Sequence, residues 1–212
     1  MSADRVPRGL YAITAPELTP GEQLVPACEA ALAGGAVMLQ YRDKGATEAE
    51  RLGRARCLRA LCARDGARLI INDDARLAHS VAAHGVHLGQ HDDDPDQARM
   101  LLGADALIGR SCHGEPELAR AAARKGLDYV ALGRFFPSRT KPGAPPASLD
   151  TLRALRQELD LPIVAIGGAN PDNAPELIRA GADLVAVIHD LFAAPDIEAR
   201  ARQFRACFEE TP

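Results

Sequence analysis

The chain has 212 residues, a formal charge of −4 and 47% hydrophobic residues, enough for one sizeable core and near the lower end for a single α/β barrel, typically about 250 residues. The acidic balance excludes general attraction to nucleic acid or anionic membrane, so an anionic substrate must meet locally placed basic groups. No run approaches the roughly 18 apolar residues of a membrane span, and residues 1–9 are polar without a signal-peptide core, so a cytoplasmic protein with small-molecule partners is expected.

Eight short apolar runs bounded by turn residues recur, at residues 10–14, 37–42, 69–72, 85–88, 107–111, 129–133, 163–166 and 184–188. Near-continuous apolar character, as in Ile163-Val164-Ala165-Ile166, suits strands covered on both faces, as in a parallel sheet. Between them lie Ala/Leu/Arg-rich segments predicted as helices over residues 21–33, 48–65, 74–83, 95–102, 115–125, 149–159, 171–180 and 196–208. Thr19-Pro20-Gly21-Glu22 and Thr47-Glu48-Ala49-Glu50 read as capping boxes, and Asp94-Pro95 and Asn170-Pro171 as cap-then-proline starts. Strict β-then-α order with no linker predicts one domain over residues 1–212, a closed (β/α)8 barrel, with an open doubly wound sheet as the alternative that periodicity alone leaves. The longest irregular stretch, residues 134–147, follows the sixth strand. Five cysteines form no CxxC and leave an odd count, against disulfides or a thiolate metal site; Cys28, Cys57, Cys62 and Cys207 fall in helical stretches as small core residues.

In a barrel, active sites are built at the C-terminal strand ends. The second strand ends Gln40-Tyr41-Arg42-Asp43-Lys44, and period-two alternation turns Gln40, Arg42 and Lys44 to one side, a place for an anion. Asn72-Asp73-Asp74 ends the third strand, and Gly89-Gln90-His91-Asp92-Asp93-Asp94 follows the fourth. Asp74 and Asp94 read as helix caps, leaving Asp73 and Asp92 as oxygen ligands suited to Mg²⁺. Ser111 ends the fifth strand; Ser138, Thr140 and Lys141 follow the sixth and suit phosphate. Gly167-Gly168 follows the seventh strand and Ile188-His189 ends the eighth, with a short extra helix expected at residues 190–193, the usual place for a barrel phosphate site. His79 and His84 read as helix-surface residues and His87 as a satisfied core or mouth residue rather than a metal ligand.

Six motifs, each at a strand end, carry a resemblance: Leu10-Tyr11-Ala12-Ile13-Thr14, Leu39-Gln40-Tyr41-Arg42-Asp43-Lys44, Ile71-Asn72-Asp73-Asp74, His87-Leu88-Gly89-Gln90, Pro137-Ser138-Arg139-Thr140-Lys141 and Ile166-Gly167-Gly168. In this order they resemble the thiamine phosphate synthase family, over residue 10 to about residue 192. The resemblance implies a (β/α)8 barrel transferase of thiamine biosynthesis. It would join 4-amino-2-methyl-5-hydroxymethylpyrimidine diphosphate to 4-methyl-5-(2-hydroxyethyl)thiazole phosphate and release diphosphate. It implies that Gln40, Arg42, Lys44 and Asn72 line the pyrimidine diphosphate site, that Asp73 and Asp92 hold Mg²⁺, and that Ser111 and Lys141 complete that site. Ser138 and Thr140 would meet the thiazole phosphate, with Gly168, Ile188 and His189 closing the far phosphate pocket. Two departures stand out: Ser138 where the family often has Thr, which keeps the hydroxyl, and His189 where it often has Ser.

The chemistry implied is carbon–nitrogen bond formation after diphosphate departs, with Arg42, Lys44, Lys141, Ser111 and Mg²⁺ stabilising the leaving group. Two rivals remain at this level. A phosphosugar epimerase or isomerase shares the barrel and the Gly-Gly phosphate site but needs acid/base carboxylates and one anion site, not two. A non-catalysing relative that only binds thiazole phosphate would lack the metal and diphosphate residues, all present here. A homodimer is the expected assembly.

Overall fold

A computed structural model describes residues 5–137 and 146–211. The strands are β1 (Gly9–Ile13), β2 (Ala36–Tyr41), β3 (Arg68–Asn72), β4 (Gly85–Leu88), β5 (Leu107–His113), β6 (Tyr129–Leu132), β7 (Ile163–Ile166) and β8 (Leu184–Val187). Each pairs in parallel with the next, and β8 returns to β1, so the sheet closes into an eight-stranded barrel. Closure settles the alternative of an open sheet. It also explains the apolar runs, because the outer strand faces are covered by helices and the inner faces pack on one another.

The helices are α1 (Leu24–Ala33), α2 (Glu48–Asp65), α3 (Ala75–Ser80), α4 (Pro95–Leu102), α5 (Pro116–Arg124), α6 (Leu149–Glu158), α7 (Ala174–Arg179), α8 (His189–Phe192) and α9 (Ile197–Glu210). The short extra helix expected after the eighth strand is α8, one residue earlier than read. The α2 start is the expected capping box: Thr47 Oγ1 accepts from Glu50 N–H and Glu50 returns to Thr47 N–H at 2.9 Å. The Thr19 box does not form. Thr19 Oγ1 instead donates to Ala15 O at 3.0 Å, and a 3-10 turn at Gly21–Gln23 delays α1. Asn170 likewise caps a turn, accepting from Asp172 and Asn173 N–H at 3.0 Å, and α7 begins only at Ala174. Asp74 and Asp94 do cap, on Leu77 and Asp96 N–H. Cys28, Cys62 and Cys207 are buried as expected, whereas Cys57 is exposed, on the outward face of α2.

One device repeats at the barrel's N-terminal end. The residue just before each of β4, β6 and β8 accepts the N–H of the first or second residue of the preceding strand: His84 Nδ1 from Leu69 at 2.8 Å, Asp128 Oδ2 from Ile108 at 2.8 Å, Asp183 Oδ2 from Ile163 at 2.8 Å. The backbone N–H of His84, Asp128 and Asp183 donates back to O of the same three residues at 2.9 Å. Strand ends that lack a ladder partner are thereby satisfied. His84 is consequently a strand-start clamp and not the helix-surface residue expected from its position in the chain. Asp128 is buried and also carries ion pairs from Arg5 and Arg99.

The interior fills in layers. Tyr11, Met38, Ile70, Leu107, Tyr129, Val164 and Leu184 form one buried cluster inside the barrel, separate from the larger core between strands and helices. Above that plug the inward positions turn polar: Gln40, Asn72, His87 and Ser111 face the mouth.

Candidate active site

The mouth opens into a cavity of about 510 Å³ at the C-terminal strand ends, lined on one side by Gln40, Arg42, Asn72, His87 and Ser111 and on the other by Gly168, Asn170, Ile188 and His189. These sides come from β2–β5 and from the loops after β7 and β8. Such a division is what two separate anionic groups would need, and one small phosphosugar would not.

On the first side, register decides the lining. Arg42 is held where β2 leaves the sheet: its N–H donates to Thr14 Oγ1 at 2.9 Å, and that hydroxyl donates to Arg42 O at 3.3 Å. At the rim beside it, Lys44 Nζ lies 2.9 Å from Asp73 Oδ2. Asp73 adopts φ 64, a left-handed backbone uncommon outside glycine. Its carboxylate meets Lys44, Asn72 and Asp92. Burial pushes the Asp73 pKa up, but the hydrogen bonds from Lys44 and Asp92 outweigh it and hold the group below the usual carboxylate range. Asp92 goes the other way, raised first by burial and then by Asp73, against the Gly89 N–H that it accepts at 2.7 Å. Two carboxylates in mutual contact with opposed shifts share the demand for one cation or one proton.

The loop carrying Asp92 is fixed from β5. Arg110 reaches Asp93 O and Gln90 O, each at 3.3 Å, and the Gln90 side chain donates to Ser111 O. Asp73 and Asp92 lie at the rim, outside the cavity lining. Among the described residues no group of three or more His, Cys, Asp or Glu side chains gathers around a point. The donor set is thus two hard carboxylates. It fits Mg²⁺, which keeps several waters and takes one or two protein carboxylates plus substrate phosphate oxygens, and it does not fit zinc.

On the second side, Gly168 has φ +71, and an added Cβ would stand 2.4 Å from Pro137 O. Only glycine fits there, and its backbone is left free to approach a ligand. Ile188 and His189 follow β8, with His189 opening α8. Asp190 also lines this side; burial raises its pKa, and Arg200 Nη1 lies 3.4 Å from its Oδ2.

Each expected site residue that the structure describes stands at this mouth, in the cavity lining or, for Lys44, Asp73 and Asp92, at its rim. Ser138, Thr140 and Lys141 lie outside the described residues. The sequence reading gave no role to Tyr11, quoted only within a motif, or to Tyr129; their hydroxyls lie 3.1 Å apart at the cavity floor, where Tyr11 joins the lining. An aromatic residue at an inward strand position carries no signal that separates it from core. It also missed His113 and Arg134, which join the lining between the two sides.

Comparison with known proteins agrees with this geometry. The family described as thiamine monophosphate synthase matches residues 10–191. The chain is 58% identical over 204 residues to a thiamine-phosphate synthase of Alcanivorax borkumensis, covering 95% of this chain and 94% of the relative. It is 55% identical over 202 residues to the same enzyme of Marinobacter nauticus, covering 94% and 90%. In structure it resembles a thiamine phosphate pyrophosphorylase from Pyrococcus furiosus, with TM-score 0.89, 34% identity and 98% of each chain covered.

Proposed function

The chain belongs to the thiamine monophosphate synthase family and is a transferase that makes thiamine phosphate, and on that premise we propose how its barrel mouth does so. The pyrimidine diphosphate lies along Gln40, Arg42, Asn72 and Ser111, with its diphosphate toward Lys44 and the Asp73–Asp92 pair. The thiazole phosphate takes the side formed by Gly168, Ile188 and His189, with Ser138 and Thr140 as further hydroxyl donors. The observation that carries this reading is one cavity whose opposite walls come from β2–β5 and from the loops after β7 and β8, with two touching carboxylates at the rim of the first wall.

Diphosphate departs with the electron pair of the carbon–oxygen bond, and the thiazole nitrogen then gives its lone pair to the pyrimidine methylene carbon. No general base is needed for either step. What this chain supplies is positioning and charge: Arg42, Lys44 and Lys141 neutralise the developing diphosphate, and the Ser111 hydroxyl donates to it. Mg²⁺ held by Asp73 and Asp92 would add charge neutralisation on the leaving oxygens. Asp92→Ala should raise the Mg²⁺ concentration needed for half-maximal activity by roughly tenfold or more. A titration that overlays the parent's would remove Asp92 from the ligand pair.

Residues 1–212 act as one barrel domain in this reading. No described helix is long and apolar enough to cross a membrane, and the proposal places the enzyme in the cytoplasm. Assembly as a homodimer belongs to the proposal as well; light scattering on the purified protein measures it.

A further inference from the structure

Five buried or half-buried polar side chains from five strands form one hydrogen-bonded chain across the floor of the cavity. Gln40 Nε2 donates to Tyr11 OH at 2.7 Å. Tyr11 OH lies 3.1 Å from Tyr129 OH, Tyr129 OH 3.1 Å from His87 Nδ1, and His87 Nε2 2.9 Å from Ser111 Oγ. The rings are locked by packing: Tyr11 meets Tyr129 edge-on at 6.2 Å, and His87 stacks on Tyr129 at 5.6 Å. Gly109 makes this possible, because a Cβ there would stand 2.0 Å from Tyr129 Cζ.

Proton accounting gives the chain a direction. A phenol has one hydrogen, and an imidazole in its neutral form has one N–H, which is the form this accounting takes for His87. With the Gln40 amide nitrogen donating to Tyr11, the Tyr11 O–H is free to point to Tyr129, the Tyr129 O–H to His87 Nδ1, and His87 donates from Nε2 to Ser111. Burial raises the pKa of both tyrosines, so each keeps its O–H. At the two ends, Gln40 then presents its carbonyl oxygen to the cavity and Ser111 presents its O–H. Reversing the path flips both ends together, giving an amide N–H₂ at Gln40 and an oxygen lone pair at Ser111.

We propose that Tyr11, Tyr129 and His87 form a positioning relay that couples the reading of the pyrimidine 4-substituent by Gln40 to the hydrogen bond that Ser111 gives the diphosphate. This rests on the reading above, in which Gln40 and Ser111 face the pyrimidine diphosphate. A 4-amino group donates and needs the Gln40 oxygen; an anion accepts and needs the Ser111 hydrogen. Both demands select the same direction of the relay. A 4-oxo pyrimidine demands the opposite direction and so turns a lone pair toward its own diphosphate. Discrimination is thereby paid at both ends of the substrate.

The test is the ratio of inhibition constants for two unreactive probes, the 4-amino- and 4-oxo-2-methylpyrimidin-5-ylmethyl monophosphates, in the parent enzyme and in Tyr129→Phe. The substitution keeps the ring and removes the middle hydroxyl, without touching Gln40 or Ser111. The Tyr11 O–H then loses its onward acceptor and turns to the Gln40 oxygen. The parent should prefer the 4-amino probe by roughly tenfold or more, and Tyr129→Phe should bring the ratio close to one, with KM for thiazole phosphate unchanged. Tyr11→Phe should act in the same direction and serves if Tyr129→Phe does not fold. A hydroxyl with a merely structural role would weaken both probes equally, and an unchanged ratio in the folded variants would overturn the relay. Gln40→Ala separates the premise: if it leaves the affinity for the 4-amino probe unchanged, Gln40 does not face the pyrimidine and the relay falls with that reading.

Discussion

The imidazole of His84 stands at the start of β4 with Nδ1 accepting the Leu69 N–H, a bond that only the unprotonated nitrogen can make. Burial, aided by the nearby charges of Arg59 and Arg68, lowers its pKa from 6.5 to about 4. Between those values the unfolded chain binds a proton that the folded one refuses. This contribution to stability is therefore whole above about pH 6.5 and is lost as pH falls toward about 4. The thermal midpoint should drop across that window in the parent and less steeply in His84→Gln, where an amide oxygen can still accept from Leu69 without titrating. Equal slopes would show that the clamp does not govern acid sensitivity. At this same scale, Gln40, Arg42 and Lys44 were legible because polar residues at period two at the end of an apolar strand have few uses other than a mouth, whereas the site role of Asn72 came from the family resemblance. The clamp and the tyrosines were not, since His84 looks like any residue after a helix and Tyr11 like any core aromatic.

Among the elements, β5 is the one whose sequence most plainly serves its neighbours. Gly109 occupies an inward position in mid-strand, where any side chain would enter the space of the Tyr129 ring. Gly109→Ala should overpack the floor and cost about 1–3 kcal/mol, read as a lower urea midpoint, and turnover should fall with it. An unchanged midpoint would mean that β6 moves aside freely and that the floor is not rigid. The two Thr-x-x-Glu motifs carry an element-scale lesson. Thr47 precedes a chain free to enter a helix at once, and its box forms. Thr19 is already drawn back to Ala15, and Pro20 and Gly21 open a 3-10 turn rather than α1, so the same four-residue pattern caps nothing. Local spacing fixes such a motif only when no nearer acceptor competes.

For the molecule as a whole, the alternation of eight apolar runs with helical segments was enough for the layer order, and closure followed only once β8 was seen to pair with β1. Periodicity speaks of each strand's faces and not of which strands are neighbours, so on periodicity alone the open sheet stood as the alternative, and the resemblance pointed to the barrel. The site divides in a similar way. The expectation of two anion sides follows from strand-end residues read one by one, whereas the contact between Asp73 and Asp92 and the chain from Gln40 to Ser111 depend on the barrel's curvature bringing separate strands together. The most direct measurement is formation of thiamine phosphate, by chromatography, from the pyrimidine diphosphate and the thiazole phosphate with purified protein, with and without Mg²⁺. Product that requires Mg²⁺ is the expected result; folded protein that binds thiazole phosphate yet forms no product with the metal present would contradict it.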